Sequence, residues 1–285
     1  MSEQPYFSIV IPTLNEEKYL PRLLENLTQQ TFTNFEVIHV DGNSDDKTVP
    51  AASQFQGKLQ LQSIVVKKRN VSYQRNVGAT KARGEWIIFM DADNLLPNYF
   101  LDGVKYAIAK FNDFDVFSTW MGVDTGRTRD ESIARIINAG IEVYSKVLNK
   151  PSAFGALIGV KKVVFEQVRF DENQQILEDS LYIKDIIDAG FTFRILKEPK
   201  FYFSFRRLDR EGSLKMARTI AVTQLQYLQG NSFEKKNYGY TMQGGQYYEE
   251  IKPPFLQKVQ DFLQTASKKQ LKQAQKIIDS LTDFD

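Results

Sequence analysis

Cysteine is absent from the 285-residue chain, and histidine occurs once, at His39. Without cysteine there is no disulfide framework, no thiolate nucleophile and no cysteine-held zinc cluster. A single histidine cannot build a His-rich metal site or an HExxH motif, and a Ser-His-Asp relay would have to draw on His39 alone. Long apolar runs are missing too. None approaches the ~18 residues of a spanning helix, and Met1 to Tyr6 lacks the basic-then-apolar order of a secretory signal, so a soluble, cytoplasmic chain is expected. Charge of one sign is not in excess: 37 Lys+Arg stand against 35 Asp+Glu, a net +2, which offers nucleic acid no broad electrostatic footprint. What is present is ordinary globular composition, 42% hydrophobic and 25% charged, which excludes disordered and collagen-like chains. Chemistry is left to carboxylates, Arg, Lys, Tyr and bound metal.

The first third alternates short apolar runs with helical patterns. Phe7 to Ile11 reads as a strand closed by Pro12, and Asn15-Glu16-Glu17 opens a helix with Tyr19, Leu20, Leu23, Leu24 and Leu27 on one face. Phe35 to Val40 is a second strand. It ends at the turn-rich Asp41-Gly42-Asn43-Ser44-Asp45-Asp46, where Asp46 or Thr48 can cap the next helix. Leu59 to Lys67 alternates as a strand, Ser72 to Ala82 is helical, and Trp86 to Met90 is a fourth strand running into Asp91. Strands separated by helices of this length predict a mostly parallel α/β sheet flanked by helices, with ligands at the carboxyl ends of its strands, at Pro12, Asp41 and Asp91. Further on, Pro97 to Phe111, Ser132 to Leu148 and Asp179 to Ala189 read as helices. Asp115 to Met121 and Phe191 to Leu196 read as strands, and Ala153 to Val160 as a buried segment. Ser132 to Leu148 is amphipathic and reads as core-facing. The pattern divides the chain into residues 1–212 and a mostly helical extension, 213–285.

Asp91-Ala92-Asp93 directly follows an apolar strand, so two carboxylates project from one turn at the sheet's rim. Hard divalent cations such as Mg²⁺ or Mn²⁺ bind one or two carboxylates and leave positions for phosphate oxygens. Asp41 is a third carboxylate on that rim and can accept from a base or ribose. Arg69, Asn70, Arg75 and Asn76 flank a helix start, where backbone N–H groups and guanidinium forks suit anions; a solvated basic face is the plain alternative. Glu178-Asp179 is either an N-cap with its first turn or a general base beside a bound diphosphate. Arg206-Arg207 follows an aromatic run and can stabilise a departing diphosphate, or form surface ion pairs. His39 reads as a packed or rim residue rather than a ligand.

In order, FSIVIPTLNEEKYL, VDGNSDDKT, SYQRNVGATKARGEWIIFMDADN, FGALIGVKKVVF, VRFDEN, LEDS and SFRRL resemble the family 2 glycosyltransferases of GT-A fold, over roughly the first three quarters of the chain. The resemblance implies an inverting, hexosyltransferase-type enzyme that uses Mg²⁺ or Mn²⁺ and a nucleotide-sugar donor, a UDP-sugar in preference to a GDP-sugar. Pro12, Thr13 and Glu16 would form the first nucleotide-contacting loop. Asp41 would contact the base, and Asn70 and Arg75 would add further nucleotide contacts. Asp91 and Asp93 would be the DxD pair, Asp93 the direct metal ligand and Asp91 nearer ribose and diphosphate. Asp179 would be the base, Glu178 an acceptor contact or orienter, and Arg206 and Arg207 the basic group closing over the diphosphate.

The QxxRW signature and membrane helices of processive synthases are missing, which argues against chain polymerisation. Asn43 stands where a second glycine is usual, and asparagine tolerates the left-handed geometry required there. The helix at Ser132 to Leu148 and the Lys-rich end are compatible with peripheral association at the inner face of a membrane and a glycan or lipid-linked acceptor. The competing readings are a catalytically silent nucleotide-sugar-binding module and a sugar-nucleotide pyrophosphorylase. The pyrophosphorylase should carry a glycine-rich, Arg-containing first loop, which FSIVIPTLNEEKYL lacks.

Overall fold

The computed structural model describes residues 4–123, 131, 134, 138, 156–174 and 178–202. In chain order these form β1 (Phe7–Thr13), α1 (Leu20–Thr28), β2 (Phe35–Asp41), α2 (Thr48–Ser53), β3 (Leu61–Val65), α3 (Val71–Lys81), β4 (Trp86–Met90), α4 (Phe100–Phe111), β5 (Val116–Gly122), β6 (Leu157–Lys161), α5 (Lys162–Phe165), α6 (Glu178–Asp188) and β7 (Phe193–Tyr202). The strands make one seven-stranded sheet in the order β3-β2-β1-β4-β6-β5-β7. β1 to β4 are parallel, β6 runs antiparallel between β4 and β5, and β7 pairs parallel with β5.

Strands buried on both faces read as unbroken apolar runs, and β1, β2 and β4 are buried throughout. Their side chains still alternate between two cores. Phe7, Ile9, Ile11, Val37, Trp86 and Ile88 face α1, α2 and α4, whose Leu23, Leu27, Ala52, Phe100 and Val104 complete that layer. Val10, Ile38, Val40, Ile87 and Phe89 face α3, α5 and α6 through Ala79, Val164, Tyr182 and Ile186. The helix α3 lies very close to the sheet: a Cβ at Gly78 would stand 2.4 Å from Val10 Cγ1 and 3.1 Å from Val40 Cγ2. That approach carries the N-terminal half of α3 to the rim where β1 and β2 end.

Among the boundaries that differ from the sequence reading, such as β3 at Leu61–Val65 and α1 from Leu20, two have identifiable reasons. Pro12 continues β1 rather than closing it. Pairing with β4 stops at Val10, so Pro12 lies where β1 has one neighbour, the edge-like setting that tolerates a missing N–H. β7 runs on to Tyr202, beyond the expected Leu196, because its far end pairs with the end of β5 after a register shift between Thr119 and Met121. There Asn138 serves both backbone groups of Met121, accepting from its N–H at 3.1 Å and donating to its carbonyl at 2.8 Å. Within the expected helix at Ser132 to Leu148, the described Ala134 and Asn138 are helical and buried; the rest lies outside the described residues, as do Arg206, Arg207 and the whole of 213–285.

Candidate active site

The site is built where β1, β2 and β4 end. The loops after β1 and β2 are stitched together: the Asn15 N–H donates to Ser44 Oγ at 2.8 Å and the Asp45 N–H to Asn15 Oδ1 at 2.8 Å. The Glu16 N–H donates to Thr48 Oγ1, and the Lys47 N–H to Glu17. Asp46 turns the chain toward α2 by accepting the Thr48 N–H at 2.9 Å, while the N-cap position is Lys47, which makes no side-chain cap bond. Both loops turn through left-handed asparagines, Asn15 at φ 57° and Asn43 at φ 60°, so the residue expected to tolerate that geometry adopts it.

Asp41 is fully buried. Its Oδ2 accepts from Thr13 Oγ1 at 2.8 Å and Ser44 Oγ at 2.6 Å, and its Oδ1 from the Ser44 N–H at 2.7 Å. Behind it, His39 Nε2 lies 2.7 Å from Thr13 Oγ1 and Nδ1 lies 2.8 Å from Ser63 Oγ. Burial pulls the His39 pKa down to about 4 against the opposing pull of Asp41, so the ring is neutral near pH 7. His39 is thus a packed residue. Gln74 had no signal in the sequence beyond its place on α3. It is buried, and its Nε2 donates to the Thr13 carbonyl at 2.7 Å and the Val40 carbonyl at 2.8 Å, bridging the two strand ends.

Arg75, expected at the nucleotide, is buried among carboxylates. Its Nη2 donates to Asp91 Oδ1 at 3.1 Å and its Nη1 to Glu178 Oε1 at 3.2 Å, while its guanidinium lies over the Phe170 ring. Burial works against its charge, but Asp91, Glu178 and Asp179 outweigh it and hold the proton more firmly than usual. Glu178 is pushed up to about 7, first by burial and then by Asp179, with Arg75 opposing. Asp179 is also raised, chiefly by burial, against Arg75 and the Ser180 N–H that its Oδ1 accepts at 2.7 Å. Asp179 keeps some exposed surface where Glu178 is closed off. Both stand in the first turn of α6, where the helix dipole favours carboxylates.

The other expected residues are placed as follows. Asn70 caps α3, accepting the Tyr73 N–H at 2.7 Å, and its amide donates to the Glu172 carbonyl. Asn76 clamps Phe170 through both backbone groups, and Arg69 is drawn to Asp45 and the Asn43 carbonyl, on the loop after β2. Pro12, Thr13 and Glu16 are buried at the first loop. Asp91 and Asp93 are partly exposed, the Asp91 side chain to 38%. The turn that carries them is held by the Asp91 N–H on the Ala156 carbonyl and by paired backbone bonds between Leu95 and Tyr202. Among the described residues no three His, Cys, Asp or Glu side chains converge as a metal cage. Two accessible carboxylates fit a hard divalent ion whose remaining positions are filled by phosphate and water. A cavity of about 790 Å³ along α4 and β7 is lined by Tyr99, Tyr106 and Arg194 and by none of these rim carboxylates, so it is no part of the site.

Comparison with known proteins agrees with this fold. The chain is 28% identical over 221 residues to the minor teichoic acid biosynthesis protein GgaB of Bacillus subtilis, covering 74% of this chain and 24% of that one. It is 27% identical over 199 residues to the poly(ribitol-phosphate) β-N-acetylglucosaminyltransferase TarP of Staphylococcus aureus, covering 68% and 58%. Among solved structures, S. aureus TarS residues 1–349 in complex with UDP-GlcNAc superposes with a TM-score of 0.54 at 25% identity, covering 69% and 57%. A mannosyltransferase of Pyrobaculum calidifontis, solved with GDP-Man and Mn²⁺, shares the fold at a TM-score of 0.55 and 21% identity, covering 70% and 57%. The chain therefore spans between about a quarter and three fifths of the length of these curated relatives. The model of the family described as Glycosyl transferase family 2 matches residues 8–169, more than half of the sequence, and the chain belongs to that family, with the GT-A fold.

Proposed function

We propose that this protein transfers a sugar from a nucleoside-diphosphate donor, a UDP-sugar, to an acceptor hydroxyl with inversion at the anomeric carbon. The observation that carries the reading is the position of Arg75, which ties the Asp91-Ala92-Asp93 turn after β4 to the Glu178-Asp179 pair opening α6. A donor-phosphate site and a candidate base thereby share one rim. The UDP-GlcNAc complex of TarS supports a UDP-sugar as donor.

The acceptor oxygen forms its bond to the anomeric carbon as the bond from that carbon to the β-phosphate oxygen breaks, and the acceptor proton passes to Asp179. Asp179 suits the task because it retains surface and its proton affinity is raised. Glu178, buried against Arg75, orients it. Asp93, with Asp91 beside it, would hold Mg²⁺ or Mn²⁺, which when bound supplies positive charge for the departing diphosphate. Arg206 and Arg207 would add to that charge. The acceptor is proposed to be a glycan or a lipid- or polymer-linked hydroxyl, which the names of GgaB and TarP support. Thermal stabilisation by a panel of nucleoside diphosphates and their sugars, with and without Mn²⁺, tests the donor. Turnover of the best stabiliser separates an enzyme from a silent binding module, and a folded protein stabilised by no nucleotide would sink the reading.

A further inference from the structure

The line of polar groups behind Asp41, buried at Thr13 and His39 and half-buried at Ser63, is more than packing. Ser63, His39, Thr13 and Asp41 come from three adjacent parallel strands, with His39 directly opposite Ser63 and Thr13 directly opposite Asp41. They occupy the sheet face that Val37 and Leu61 fill with hydrocarbon. Valine or isoleucine at 13 and 39 would satisfy that face without the desolvation penalty of buried polar groups.

The bonds can have only one sense. The Asp41 carboxylate accepts, so Thr13 Oγ1 spends its single proton there, and the 2.7 Å contact with His39 must be donated by Nε2–H. Nδ1 then accepts from Ser63 Oγ. On the other side of Asp41, Ser44 Oγ donates to Oδ2 and itself accepts the Asn15 N–H. A line of hydrogen bonds thus runs from β3 through His39 to both loops at the ends of β1 and β2. Both ring nitrogens are consumed within it, so His39 has no proton to exchange with a substrate.

We propose that His39 is a positioning residue: through Thr13 it sets Asp41 and the paired loops at Asn15 and Ser44, and with them the affinity for the nucleoside part of the donor. The inference rests on the donor reading above. Four variants test it, His39→Leu, Thr13→Val, Thr13→Ser and the double variant His39→Leu/Thr13→Val, with UDP affinity and donor kinetics measured alongside melting temperature. Loss of one such buried bond should weaken UDP binding and raise donor KM by about tenfold in H39L, with the effect falling on KM rather than kcat. Thr13→Val should act in the same direction, Thr13→Ser should restore binding, and the double variant should be no weaker than the worse single one, since both break one chain.

Because His39 is the single histidine, its ring ¹⁵N signals need no assignment. They should show a neutral Nε2–H tautomer in the wild type and a shifted Nε2 signal in T13V. An Nδ1–H tautomer, strictly additive losses, or lower melting temperatures with unchanged UDP affinity would overturn the proposal. Wild-type protein that binds no nucleotide would instead overturn the donor reading; the ring signals would then decide alone whether His39 holds Thr13.

Discussion

Arg75 Nη1 lies 3.2 Å from Glu178 Oε1, and both side chains are almost wholly buried, at 3% and 5% exposure. A buried ion pair is hard to break from one side, because the partner left behind has no water to replace it. Arg75→Met should therefore cost about 3 to 5 kcal/mol in urea unfolding. Glu178→Gln should cost clearly less, since Glu178 already holds a proton much of the time near pH 7 and an amide can still accept from Arg75. Equal costs for the two variants would show that Glu178 is fully ionised.

The dependence of stability on pH should contain two opposed contributions. His39 titrates at about 4 when folded against 6.5 unfolded, so the unfolded chain binds the extra proton in that window, and stability rises with pH from 4 to 6.5. Glu178 titrates at about 7 folded against 4.5 unfolded, so the folded protein binds the extra proton, and stability falls as pH rises from 4.5 to 7. The two oppose each other across the overlap, and Asp179, also raised by burial, adds to the fall. Glu178→Gln should expose the rise, and His39→Leu the fall, in unfolding measured at stepped pH.

Asp179→Asn should fold and bind UDP like the wild type while transfer falls by about 10² to 10⁴, the usual contribution of a general base. Donor-dependent product formation, measured beside UDP binding, checks it. Retained transfer would remove Asp179 from the mechanism.

Asp93→Ala should abolish the part of nucleotide stabilisation that depends on Mn²⁺, read against the melting temperature of the free protein. Asp91→Ala should also lower that free-protein value, because it strips Arg75 of a partner at 3.1 Å. Melting curves with UDP, with and without Mn²⁺, separate the two aspartates.

Gly78→Ala should cost about 1 to 3 kcal/mol, the usual range for overpacking, since its new methyl would meet Val10 at 2.4 Å in a layer with no slack. Gln74→Leu should cost a similar amount by leaving the Thr13 and Val40 carbonyls without their shared donor.

Trp86 to Met90 was legible as a strand to the residue, because an unbroken apolar run between polar turns has few other solutions. The same is true of the leucine face of α1, where Leu20, Leu23, Leu24 and Leu27 are all buried. The carboxylates of the rim were legible by their position after strands. Their partners were not. Arg75 and Asn70 carry the residue types of an anion site, but which side of α3 they occupy depends on the approach at Gly78, and that is a property of three packed elements. Gln74 and the line from Ser63 to Asp41 were invisible for a related reason: strand register joins residues 13, 39 and 63, and register leaves no local mark in any of the three segments.

The antiparallel bridge between Leu95 and Tyr202 gives the outermost strand a second duty. β7 closes one edge of the sheet, yet its last residue is fastened two positions after Asp93. The chain therefore returns to the rim before it continues. The strand end and the aspartate turn, fastened at one point, move as one lever. A substitution that loosened the bridge would be felt at the outer strand and at the aspartate turn together.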